Sequence, residues 1–133
     1  MAVERTPVNP WEWSVKVGYD QGEVVSGHTR TLFCAGQTAT DGDGRPQHTG
    51  DMAAQLALSL DNLAAVLGEA GMSLANLVRL NVYTTDVDRL LEHYGVLAAR
   101  LGAAGVTPPT TLLGVTRLAI TELMVELEGT AVG

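Results

Sequence analysis

A chain of 133 residues, 46% hydrophobic and 17% charged, has the size and composition of one packed domain with a single core. Its formal charge is −7 and its eight Lys and Arg residues are scattered singly, so it repels a phosphate backbone and nucleic acid is not an expected partner. No apolar stretch reaches the roughly 20 residues that cross a bilayer, one Cys excludes an internal disulfide, and the start MAVERTP lacks the apolar core of a signal peptide; a cytoplasmic protein without a membrane partner is expected.

Residues 1–12 hold two of the five prolines and no period, and read as an extended N-terminal arm. Val15–Tyr19 alternates like a strand. Glu23–Val25 and Thr31–Ala35 follow, with Ser26–Thr29 as a turn between them, which predicts a hairpin. Asp41-Gly-Asp-Gly44 is a tight reversal, because Asp and Gly tolerate positive φ. It starts like a calcium loop, but Arg45 occupies the fifth position, where an acidic or amide side chain is needed.

From Asp51 the period changes to 3.6: Leu56, Leu60, Leu63 and Leu67 form one stripe and Gly71 follows as a stop. Asp51 and Gln55 read as the start and cap of that helix. Leu77–Thr84 alternates, with Leu77, Arg79, Asn81 and Tyr83 opposed to Val78, Leu80 and Val82, as in a strand with one wet face. Asp86 is placed to cap a second helix that buries Leu90, Leu91, Tyr94, Leu97, Ala98 and Leu101. Thr111–Val115 and Leu123–Val132 return to strand character. The predicted fold is α+β: a single mixed sheet with two helices on one face, in one domain over residues 1–133.

Three short segments carry further information: Tyr19-x-Gln21, Cys34-Ala-Gly-Gln37, and the run TPPTTLLGVTRLAITELMVELE from Thr107 to Glu128. Together they resemble the signatures of the Rid family, the reactive intermediate deaminases or YjgF-like proteins, and the similarity extends from about Tyr19 to Val132. The resemblance implies a YjgF-like, chorismate-mutase-like fold and a homotrimer with small-molecule clefts between subunits. It also implies hydrolysis of a reactive enamine or imine to a carbonyl compound and ammonia. No cofactor and no metal are implied, and His28, His48 and His93 have no ligand spacing.

By the same resemblance Tyr19 lines the cleft, Gly36 allows close backbone approach, Gln37 completes that motif, and Glu126 positions or activates the attacking water. The residues alone also allow plainer readings, in which Tyr19 packs at a sheet edge, Gly36 serves a strand-end bend, and Glu126 is an exposed strand carboxylate. Alternation puts Glu126 and Glu128 on one face, opposite Val125 and Leu127. Cys34 is expected to be a small buried hydrophobe rather than a nucleophile.

Thr110 departs from the family pattern. Deaminating members carry Arg in the segment that reads Pro108-Pro109-Thr110-Thr111 here, and that Arg clamps the substrate carboxylate. A hydroxyl offers one hydrogen bond where Arg offers a charge and a planar fork of donors. Arg79 and Arg117 are the candidate replacements. The expectation is therefore an imine deaminase with altered specificity or, as the alternative, a non-catalytic trimer that binds a metabolite or partner. A nuclease role, described for some members of the family, fits the acidic charge least.

Overall fold

A computed structural model gives the fold of residues 2–133. Among the described residues there are six strands and three α-helices, and the strands form two separate ladders. The main sheet has the order β3-β6-β4-β5, with β3 at Thr31–Phe33, β4 at Leu77–Thr84, β5 at Thr110–Gly114 and β6 at Val125–Val132. β4 and β5 are parallel and the other pairs antiparallel. The sheet is mixed, as expected.

The helix α1, Met52–Glu69, begins where Asp51 Oδ1 accepts the Ala54 amide and ends before Gly71, whose φ of +73° suits glycine. Its stripe of Leu56, Leu60, Leu63 and Leu67 is fully buried against the sheet. Each such leucine contributes about 1.5–3 kcal/mol by leaving water. Asp86 caps α2, Val87–Glu92, through the Arg89 amide. α2 stops at His93 and α3 continues from Tyr94 to Ala103. The break divides the helix expected as one piece. Leu90, Leu97 and Leu101 still reach the core, whereas Leu91 stays 55% exposed.

The N-terminal third differs most from expectation. Within the arm, β1 (Glu4–Val8) pairs antiparallel with β2 (Gly22–Ser26), while β3 pairs with β6, so no β2–β3 hairpin forms. Arg5 docks the small ladder: its guanidinium meets the Glu23 carboxylate at 2.7 Å and donates to Ala75 O at 2.8 Å. Val15–Val17 is a 3₁₀ turn rather than a strand, closed by Gly18 donating to Val15 O. A register shift between Leu77 and Arg79 changes the phase of β4. Leu77 therefore joins Leu80 and Val82 in the core, leaving Arg79, Asn81 and Tyr83 on the other face.

Gln55 does not cap. Its side chain is fully buried, donating to Glu122 O at 2.8 Å and Gln47 O at 3.2 Å and accepting the Met124 amide at 2.8 Å. It thus fixes the loop that leads into β6. Gln55→Leu should lower stability by about 1–3 kcal/mol, the cost of orphaning a buried donor, as a shifted urea midpoint at constant slope would report.

Candidate functional site

The candidate residues fall into two groups, and the sheet separates them. The first group surrounds a cleft of about 410 Å³ lined by Val17, Tyr19, Leu91, Tyr94, Thr110 and Leu112. Thr110 and Leu112 pair with Leu80 and Val82, so they point to the helix-covered face at the free edge of β5. Leu91 and Tyr94 reach the cleft because the helix breaks at His93. A buried carboxylate brings Tyr19 to this edge: Asp20 accepts from Asn9 Nδ2 at 2.8 Å and from Thr107 Oγ1 at 2.7 Å, and its amide donates to Thr107 O at 3.0 Å. Trp13 meets the Tyr19 ring edge-on, with centroids 6.0 Å apart and planes at 87°. Burial and the neighbouring Tyr19 raise the Tyr94 pKa.

The second group lies on the open face. Cys34 donates to Gly129 O, but Gln37 exchanges both backbone bonds with Leu127, at 2.7 and 2.9 Å. The register has slipped by one residue between those positions, a bulge of the kind that re-aims backbone near sites. It carries Gly36 onto Glu126. An ideal Cβ at Gly36 would lie 2.2 Å from Glu126 Oε1 and 2.6 Å from its Cδ. Only glycine allows that approach with the carboxylate where it is.

The two strand acids are held differently. Glu128 accepts from Asn81 Nδ2 and Tyr83 Oη, both at 2.9 Å, and these bonds lower its pKa. Glu126 pairs across the ladder with Tyr83, and its carboxylate has no hydrogen-bond donor among the described residues. Burial, then the charge of Glu128, raises its pKa. One acid is kept ionised while its neighbour is made more basic, a separation of roles that acid–base sites use.

Tyr19 and Thr110 thus sit together, as do Gly36, Gln37 and Glu126, but the groups are on opposite faces of one sheet. Thr110 Oγ1 donates to Pro108 O at 2.8 Å. Within one copy neither alternative cation reaches it. Arg79 projects from the open face to Thr111 Oγ1 at 2.7 Å, and Arg117 donates to Leu118 O and Ala119 O of its own loop. Cys34 is buried and its pKa is raised by desolvation, which suits an inert thiol. Among the described residues, no cluster of His, Cys, Asp and Glu could hold a metal ion, and no helix is long and apolar enough to cross a membrane.

A family model described as Endoribonuclease L-PSP matches residues 13–133, and solved structures that share the fold include a Rid-family protein and YjgF. The chain belongs to this family. Its fold is close to that of the Rid-family protein YyfB of Yersinia pestis, whose function is unknown: 32% identity and a TM-score of 0.87, over 97% of this chain and 98% of the other. The Escherichia coli protein TdcF with bound serine is 27% identical with a TM-score of 0.70, over 86% of this chain and 87% of TdcF. The mitochondrial protein Mmf2 of Schizosaccharomyces pombe is 37% identical over 87 residues, 65% of this chain and 64% of Mmf2, so this match spans a little under two thirds of the relative.

Within this Rid chain, sequence reasoning missed Val17, Leu91, Tyr94 and Leu112 as cleft walls. The helical period assigned Leu91 and Tyr94 to the core, and nothing in it marks the break at His93. Asn81 and Tyr83 were better signalled. They lie on the predicted wet face of β4, and any antiparallel partner carrying Glu126 and Glu128 had to set those acids beside them.

Proposed function

We propose that this chain is a Rid-like deaminase that hydrolyses a reactive enamine or imine to a carbonyl compound and ammonia, with a specificity altered by Thr110. The single observation that carries the reading is the division of the candidate residues between two faces. A complete site then needs the cleft of one copy, with Tyr19 and Thr110, closed by the Gly36–Glu126 face of another. A closed ring of identical contacts satisfies every copy. Phe33 and Leu113, 78% and 50% exposed on the open face, offer apolar surface for that contact. A homotrimer is expected, and light scattering at micromolar concentration checks it; a stable monomer would remove the intersubunit site.

In the assembled site, water adds to the C=N carbon. Glu126, the more basic of the two acids, accepts a water proton and returns it to the nitrogen of the carbinolamine. The carbinolamine hydroxyl then gives up the second proton by the same route as its C–N bond breaks, and the nitrogen leaves as ammonia. The half-buried backbone at Gly36 and the side-chain amide of Gln37, which donates to Ala35 O, provide dipoles near the developing charge. The chemistry draws on no cofactor in this reading. The whole chain acts as one domain, and a reducing cytoplasm suits its lone buried thiol. TdcF holds serine, a carboxylate-bearing molecule, but Thr110 gives this cleft no cation for such a group. Coupling the protein to an amino-acid oxidase or an amine oxidase and following loss of the imine tests the activity. A second reading, a non-catalytic trimer binding a metabolite in the same cleft, is favoured by the Thr110 hydroxyl being committed to Pro108 O. It stands if no imine is consumed.

A further inference from the structure

We propose that the cleft takes the apolar, carboxylate-free end of its ligand, so that the substrates are imines or enamines derived from alkyl or arylalkyl amines that lack a carboxyl group and the products are neutral aldehydes or ketones. The inference rests on the intersubunit site proposed above and names its substrate class. Three of the six lining side chains, Val17, Leu91 and Leu112, are purely apolar, and none of the six carries a charge. The polar atoms are hydroxyls: those of Tyr19 and Tyr94, and that of Thr110, whose proton already goes to Pro108 O. Trp13 backs the Tyr19 ring edge-on.

A carboxylate entering such a cleft loses its hydration and gains no cation, the combination that burial penalises most. A neutral ring or alkyl chain loses only unfavourable hydration, and a volume near 410 Å³ is in the range of small-molecule sites. The opposing face adds to the discrimination. It contributes the two acids Glu126 and Glu128, which repel an anion, against the one guanidinium of Arg79, part of whose donor fork is already used on Thr111. The reaction balances without a co-reactant other than water: R₂C=NH and H₂O give R₂C=O and NH₃, the C=N bond being replaced by C=O. Substrates of this class arise when an amine without a carboxyl group is oxidised, so an amine-oxidising step is the chemistry that would supply them.

Isothermal titration of the assembled wild-type protein at neutral pH with two isosteric probes, phenylacetamide and phenylacetate, tests the ligand class apart from turnover. The amide should bind at least tenfold more tightly than the acid. Leu91→Asp, at a half-exposed position where the fold is spared, should abolish amide binding with an unchanged melting temperature, and Thr110→Arg should reverse the preference. Equal or tighter binding of phenylacetate by the wild type, failure of both probes to bind, or amide binding unaffected by Leu91→Asp would overturn the inference. The deaminase reading fails on a separate measurement: amide preference with no imine turnover retains the ligand class and removes the catalyst. Turnover without amide preference does the opposite.

Discussion

Replacing Glu126 with Gln should lower imine turnover by roughly a hundredfold to ten-thousandfold, the usual contribution of a positioned general base. Stability should change by less than about 0.5 kcal/mol, as for substitutions away from buried networks, because Glu126 makes no side-chain hydrogen bond or ion pair among the described residues. Gly36→Ala should reach a similar loss by another route. The new Cβ would meet the Glu126 carboxylate at 2.2–2.6 Å, so the acid must swing away while its chemistry stays intact. The pH profile separates the base from a bystander. Burial and Glu128 raise the Glu126 pKa, so activity that needs the ionised form should fall as pH drops, on a limb shifted upward from that of an ordinary glutamate. The limb should disappear in Glu126→Gln. Turnover and melting both unchanged in that variant would take Glu126 out of the mechanism.

Thr110→Arg should raise kcat/KM for 2-iminopropionate, the imine of alanine, by roughly thirtyfold to a few thousandfold. The range converts the 2–5 kcal/mol associated with a buried, hydrogen-bonded charge pair at tenfold per 1.4 kcal/mol. The position suits the exchange, since Thr110 lines the cleft of about 410 Å³. The gain requires Tyr19, Gly36 and Glu126 to be in place, so it should vanish in the double variant with Glu126→Gln. A wild-type rate on this substrate equal to that of an Arg-bearing family member would refute the argument, by making the cationic clamp dispensable.

The leucine stripe of α1, the Asp86 cap and the alternation of β6 were legible because each is a local pattern read out by one contact surface. Leu56 to Leu67 repeat at the helical period and all are buried, and Glu126 and Glu128 share a face as period two requires. Pairing partners were not legible. The N-terminal arm forms a strand because Arg5 finds Glu23 and the carbonyl of Ala75, residues 18 and 70 positions away, and no local preference encodes such distances. Irregularities were lost for the same reason. The shift at Leu77/Arg79 and the bulge before Gln37 each move one residue, yet they decide which side chains face the core and which face Glu126. The chemical identity of the site came from motifs, while its separation into halves came from the parallel pairing of β4 with β5.

That separation has a consequence for mixed populations of chains. When the cleft belongs to one copy and the acid to the next, a chain damaged on one face remains a full donor on the other, and two different defective chains can rebuild working sites between them. In closed rings drawn at random from equal amounts of the two, about a quarter of the junctions join an intact cleft to an intact acid. Inheritance of a damaged copy is then graded rather than all-or-none, and selection acts on the junction instead of on the single chain.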